Sequence, residues 1–259
     1  MFPNFQQDVD HIMFNFTVKT GLTTLSAAVL SMSAFQASAD VVISGTRIIY
    51  QQSMKDVIVN MTNRGKNPLL LQIWMDDGRE SVNPQELKLP FVITPPITRI
   101  DPGKGQSVRV TYLKTPLPQD RESIFWFNVL EIPKKSQAKD GESQNQLQLA
   151  FRTRIKLFFR PDGLKGNPAE AMKQVEWSQT QTGNTLSVVG KNNSPYNVSI
   201  SSATFKSGGR EYEIATKSIK PFSDETMAVK GLTQATTGEV TYVAINDYGG
   251  TEKITSKVK

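Results

Sequence analysis

The sequence predicts an all-β protein made of two successive β-sandwich domains, an expectation that rests on three observations. The chain has 259 residues, enough for two domains that each bury a core. From Asp40 onward, apolar residues alternate with polar ones in short runs separated by Gly, Pro, Asn and Asp, and the 3.6-residue helical period is confined to short pieces. Residues 161–168 (PDGLKGNP) break the pattern with a Pro- and Gly-rich segment of the kind that joins domains.

The first 39 residues read as an export signal. Residues 21–35 (GLTTLSAAVLSMSAF) form a mildly apolar run of secretory length, followed by Ala37-Ser38-Ala39, a small-x-small cleavage signature. A membrane span needs about 20 strongly apolar residues; this run is shorter and carries several Ser and Thr. We therefore expect residues 1–39 to be removed, a mature start at Asp40 and no membrane insertion after cleavage. Asp8, Asp10 and His11 precede Met13, whereas Lys19 lies just ahead of the apolar run, which points to Met13 as the translation start.

Composition excludes whole classes of chemistry. Loss of Lys19, Asp8 and Asp10 turns 30 basic and 24 acidic residues into 29 and 22, a formal charge of +7. The Lys and Arg are dispersed without interleaved aromatics, so no nucleic-acid partner is expected. There is no cysteine, and the single histidine, His11, lies in the segment expected to be discarded. Thiol nucleophiles, Ser-His-Asp triads and His- or thiolate-ligated metals are thereby unavailable. The chain reads as a non-enzyme with no catalytic residue, metal or cofactor, whose domains are held by packing rather than disulfides.

The expected strands follow in order. Val41-Val42-Ile43 and Arg47-Ile48-Ile49-Tyr50 form an opening strand pair or one bent strand, and residues 56–62 (DVIVNMT) alternate. The turn 63–68 (NRGKNP) leads to a strand over 69–75, which the Asp76-Asp77-Gly78 turn ends. Residues 91–94, 98–100 and 107–112 are strands, residues 124–130 (IFWFNVL) form the most apolar run and a central core strand, and 134–145 is too hydrophilic to be buried. Alternation then runs unusually far, from Leu147 to Arg160. Seven or more short strands in this span fit an immunoglobulin-like sandwich over residues 40–160. After the linker 161–168, residues 169–259 repeat the pattern in a smaller sandwich with strands at 175–177, 185–189, 197–200, 226–229 and 240–245.

The long alternating segment carries the functional signal. Period-two geometry puts Leu147, Leu149, Phe151, Thr153, Ile155 and Leu157 on one face, and Gln146, Gln148, Ala150, Arg152, Arg154 and Lys156 on the other. Such a pattern is ordinarily a half-buried strand with a solvated face. Its length exceeds what one small sandwich usually buries, so its first half is available for β-strand addition to another protein, an arrangement that is otherwise an aggregation hazard.

The strings 119–128 (QDRESIFWFN), Ile132-Pro133, 155–161 (IKLFFRP), 245–250 (INDYGG), Thr94-Pro95-Pro96 and Thr46-Arg47 resemble the periplasmic pilus (fimbrial) assembly chaperones of the chaperone–usher pathway. The matches span residues 41–250 in the family's order. The resemblance implies two immunoglobulin-like domains arranged as a boomerang. It further implies a chaperone that lends a strand to subunits lacking one and delivers them to an outer-membrane usher. It assigns Arg47 and Lys156 to anchoring the subunit's terminal carboxylate, and Leu147, Leu149 and Phe151 to filling its groove, Phe151 being bulkier than the family's usual aliphatic residue. It also assigns Glu122, Arg160 and Asp247 to an interdomain ion cluster. The fairly short loop 134–145 looks like the short-loop branch, associated with rod-like or composite pili, and the disulfide that many relatives carry in the second domain is absent. The expected partners are pilus subunits and the usher, with a self-capping dimer of the free protein left open.

Two other readings compete. A secreted immunoglobulin-like pilus subunit or adhesin is the alternative, but it should end in its own assembly strand and have an apolar N-terminal extension. A carbohydrate-active enzyme should cluster acids in a cleft. Asp76, Asp77 and Glu80, in the Gly78-Arg79 context, read instead as turn residues, and Gly103-Lys104-Gly105-Gln106-Ser107 lacks the glycine spacing of a phosphate loop and reads as a hairpin turn.

Overall fold

The computed structural model describes residues 40–134 and 149–259. The expected loop 134–145, apart from Lys134, lies outside the described residues, as do Leu147 and the export segment.

The first sandwich packs two sheets. β1 (Val41–Ile43), β3 (Asp56–Asn63), β5 (Phe91–Thr94) and β7 (Gly105–Tyr112) form one sheet in the order β1-β3-β7-β5. The second contains β2 (Arg47–Gln51), β4 (Leu69–Asp76), β6 (Ile97–Ile100), β8 (Ser123–Pro133) and β9 (Phe151–Arg160), in the order β2-β9-β8-β4-β6. The two opening segments do not pair with each other. β1 is antiparallel to β3, whereas β2 is parallel to β9, so the chain crosses between sheets at residues 44–46. Gly45, at φ 119°, supplies the backbone conformation for the crossing.

Alternation decides what each strand buries. Ile48 and Tyr50 of β2, Phe125, Phe127 and Val129 of β8, and Leu157 and Phe159 of β9 all point into one core with Val108 and Val110 of β7. Each such side chain contributes about 1.5–3 kcal/mol when fully buried. Tyr50 is the hub: its ring lies 5.6 Å from Phe91 and 6.1 Å from Phe159, while its hydroxyl donates to the Lys55 carbonyl at 2.9 Å and accepts from the Tyr112 N–H at 3.0 Å. The hairpin turn expected over 103–107 is corrected: the turn falls at Pro102 and Gly103, whereas Gly105, Gln106 and Ser107 already belong to β7, and the connection joins two sheets rather than two paired strands.

The second sandwich has its own core around Trp177, Phe205 and Tyr242. One sheet is β10 (Glu176–Thr182), β11 (Thr185–Asn192) and β14 (Ser223–Ala228); the other runs β13 (Arg210–Glu213), β12 (Ile200–Ser207), β15 (Glu239–Ile245) and β16 (Thr251–Lys257). Helix α1 (Pro168–Lys173) leads into it. Pro168 occupies the first turn, and the Asn167 side chain caps it by accepting from the Glu170 N–H at 2.9 Å. The helix docks through the Tyr242 hydroxyl, which donates to the Met172 carbonyl at 2.6 Å.

Three other expectations need correction. The strand expected at 197–200 starts only at Ile200, with Val198 making a single bridge to Ile219. β13 and β16 are missing from the sequence reading because they are charged edge strands that bury little. The long strand expected from Leu147 begins at Phe151 within the described residues, and its outer face is not polar throughout: Phe158 lies on it yet is 3% exposed.

Candidate functional site

β2 and β9 place Arg47 directly opposite Lys156. Ile48, Tyr50, Leu157 and Phe159 take the inward positions of these strands, so the alternation turns both cations to the outer face. Like charges in facing positions repel. Burial, reinforced by the charge of Arg47, pushes the Lys156 ammonium below its usual pKa. Burial also lowers the pKa of Arg47, with Asp247 opposing it.

The two head groups are held by neutral partners. Arg47 Nη1 donates to the Ile245 carbonyl at 2.9 Å and its guanidinium lies 5.8 Å from the Phe158 ring centre. Its Nε is buried without a hydrogen-bond partner among the described residues. Lys156 Nζ donates to Ser218 Oγ at 2.7 Å, reaches Ser199 Oγ at 3.4 Å and sits 5.5 Å from the Trp126 ring. Among the described residues both head groups have only neutral hydrogen-bond acceptors, so each would gain a charge-assisted hydrogen bond from an anion such as a carboxylate. Ser199 and Ser218 were not legible in the sequence, since nothing local distinguishes them from other loop serines.

The same face continues along β9 as a ladder of arginines. Arg154 grips Asp76 with two bonds, Nη2 to Oδ1 at 2.6 Å and Nε to Oδ2 at 3.1 Å, and lies 4.0 Å from the Trp126 ring. Arg152 donates to Asn128 Oδ1 at 2.9 and 2.7 Å and lies 5.0 Å from Trp74. Asp76 is therefore no mere turn residue: it is 1% exposed and also accepts from Asn128 Nδ2 and the Gly78 N–H. Burial alone would raise its pKa, but the bonds from Arg154, Asn128 and Gly78 outweigh it and leave the pKa lowered. The signal available in the sequence was the i, i+2 spacing of Arg152 and Arg154, which puts both on one face of a strand, where a carboxylate on a neighbouring strand can serve them together.

Beside this ladder lies a free edge. β2 pairs only with residues 156–160 of β9, so residues 151–155 are hydrogen-bonded to β8 on one side and to no strand on the other among the described residues. Phe151 is 36% exposed, and Leu149, just before the strand, is 56% exposed.

Glu122, Arg160 and Asp247 meet where the two sandwiches touch. Arg160 Nε bonds Glu122 Oε1 at 2.7 Å, and its Nη1 and Nη2 bond the two Asp247 oxygens at 2.8 and 3.0 Å. The other Glu122 oxygen accepts from the Asn197 N–H at 2.8 Å and from Asn197 Nδ2 at 3.1 Å. Both acids raise the pKa of Arg160 in spite of its burial. Asp247 comes from a tight turn in which Asn246 Oδ1 accepts from Tyr248 N and Gly250 N. In that turn Gly249, at φ 84°, packs so closely that a Cβ would stand 2.5 Å from Thr46 Oγ1. Gly249→Ala should therefore destabilise the protein by about 1–3 kcal/mol, read as a lower urea midpoint; an unchanged midpoint would show that the turn yields freely.

Two linked sandwiches, a strand edge left open on the first and paired cations beside it define a β-sandwich chaperone class. Residues 40–165 match the family described as pili and flagellar-assembly chaperone, PapD N-terminal domain, and residues 170–256 match the pili assembly chaperone PapD, C-terminal domain. The chain belongs to this family and is a fimbrial assembly chaperone of the chaperone–usher pathway. It is 47% identical over 241 residues to the probable fimbrial chaperone YadV of Escherichia coli, covering 92% of this chain and 97% of that one. The crystal structure of YadV superposes with a TM-score of 0.73 at 46% identity, over 85% of this chain and 100% of that chain. A Salmonella enterica structure of the SafA pilin in complex with the SafB chaperone matches with a TM-score of 0.70 at 25% identity, over 86% and 98%. The family consists of chaperones rather than enzymes, and membership sets aside the reading as a pilus subunit or adhesin.

Proposed function

We propose that this chaperone works in the periplasm, where it folds and caps pilus subunits by lending them the first part of β9 and then delivers them to an outer-membrane usher. The observation that carries this reading is the unpaired edge at residues 151–155, with Leu149 and Phe151 exposed beside it. An added strand gains main-chain hydrogen bonds along that edge, and alternate side chains enter its groove. The pilin partner is supported by the SafA–SafB complex. Arg47 and Lys156 then receive the subunit's terminal carboxylate, which sets the register of the added strand, because a one-residue slip would turn every groove-filling side chain outward. Leu147, outside the described residues, is assigned the same groove-filling role as Leu149 and Phe151. Glu122, Arg160 and Asp247 hold the angle between the sandwiches, and residues 1–39 serve as the export signal. Without a subunit, the same edge is open to a second copy of the chain.

Leu149→Glu tests the lending strand. The residue is mostly exposed, so the fold should persist. In the complex an unpaired carboxylate would enter an apolar groove at a cost of several kcal/mol. Co-expression with a pilus subunit should recover no complex; recovery at the level of the unaltered protein would refute the lending role.

A further inference from the structure

The inward face of β8 ends in an acid. Phe125, Phe127 and Val129 point into the core, and the next inward position is Glu131, 3% exposed. Its Oε2 accepts from the backbone nitrogen of Asp40 at 3.1 Å. Its Oε1 is buried with no hydrogen-bond partner among the described residues. Burial pushes the Glu131 pKa up, the N–H groups of Val41 and Asp40 pull it back, and the Asp40 carboxylate raises it further. Among the described residues no ion pair is recorded for this buried carboxylate, and a buried carboxylate is costly without one.

Asp40 is the residue that follows Ala37-Ser38-Ala39. While the Ala39–Asp40 bond is intact, the Asp40 nitrogen is a neutral amide with one proton. In cleavage by a signal peptidase, water adds across this bond: its oxygen ends in the Ala39 carboxylate, and the freed amine takes up protons to become an ammonium at neutral pH. We propose that signal-peptide removal completes the folded state, because the new α-ammonium of Asp40 forms an ion pair with Glu131 that the unprocessed chain cannot make.

The nitrogen is held in place by contacts that survive cleavage. The Asp40 carbonyl accepts from the Arg64 N–H at 2.7 Å, and Val41 pairs with Asn63. Gly65 lies so near that a Cβ there would stand 2.3 Å from Asp40 Cγ. With three protons, the ammonium can serve both carboxylate oxygens. Glu131 faces Phe151 across the β8–β9 ladder, so the pair closes the end of the sheet from which β9 starts.

The test uses protein recovered from the periplasm, whose intact mass should give Asp40 as its first residue; a different first residue overturns the proposal. Chains beginning at Asp40 or at Ala37, each with and without Glu131→Gln, are then compared by urea unfolding. The substitution should lower the folding equilibrium constant at least about tenfold more in the chain beginning at Asp40 than in the one beginning at Ala37. Equal losses overturn it, whereas failure to fold of the Asp40-started Gln variant alone supports it. Should neither Gln variant fold, the unsubstituted chains decide. The α-amine at Asp40 should acylate at least about tenfold more slowly near neutral pH than that at Ala37, and equal rates overturn the proposal.

Discussion

Lys156→Met should abolish tight subunit binding while leaving the free chaperone as stable as before or slightly more so. The free protein keeps Lys156 charged at a cost, because burial and Arg47 both disfavour the ammonium and only Ser218 and Ser199 solvate it. A folded pKa lowered below the unfolded one means that the charged lysine opposes folding at neutral pH, and that this opposition fades as pH rises through the lowered value. Methionine keeps an unbranched stem of similar length and removes the repulsion, giving up only the ammonium's contact with the Trp126 ring and its bonds to the serines. On the proposed anchoring role, the same change deletes a charge-assisted bond to the subunit's carboxylate in the complex, worth about 2–5 kcal/mol, or roughly a 30- to 5,000-fold loss of affinity. Arg47→Ala should act in the same direction on binding. Titration calorimetry with a subunit, beside a thermal melt of the free protein, reads both effects, and undiminished affinity would remove the carboxylate-anchor role.

Glu122→Ala should cost the free protein about 3–5 kcal/mol, the largest stability effect expected from any single side chain at the domain junction. The reason is the number of groups left unserved. Arg160 Nε, the Asn197 N–H and Asn197 Nδ2 all lose their acceptor at a site where Glu122 itself is 5% exposed. Among the described residues Arg160 would keep one ion pair, to Asp247, beside its contact with the Tyr196 ring. Urea unfolding should show the loss as a lower midpoint, and a second transition would appear if the sandwiches then unfold separately. The adjoining exposed Asp120, paired with Arg121, is the control: Asp120→Ala should pass unnoticed. A midpoint as insensitive to Glu122→Ala as to Asp120→Ala would mean that the junction is held by apolar contacts alone.

Several strands of the first sandwich were legible because one face lies in the core and the other in water, which gives a period of two; β3 (DVIVNMTN) and β7 (GQSVRVTY) are of this kind. β8 (SIFWFNVLEIP) was legible instead as the most apolar run, being covered on both faces in its middle, and it continues to Pro133, three residues past its expected end. The second sandwich was read less well. β12 (ISSATFKS) hides Ala203 and Phe205 among serines, and β16 (TEKITSK) is an edge strand whose residues are none of them buried. At the site, Arg47 and Lys156 were picked out by family resemblance, and Glu122, Arg160 and Asp247, picked out the same way, do come into contact. The importance of Asp76 escaped notice because its two arginines lie 76 and 78 residues further along the chain.

By itself the sequence determined that the protein is all-β in two parts, that it has no cysteine and a single histidine, His11, and that a strand near its middle alternates further than one core requires. These properties are local, written in the period and composition of neighbouring residues. Only the tertiary structure decided that β1 and β2 belong to different sheets, that Phe158 is buried on an outward face, that Asp76 lies beneath the arginine ladder and that Glu131 meets the nitrogen of Asp40. Those outcomes depend on which distant strands pair and in what register, a choice made by packing two whole sheets together rather than by any single segment.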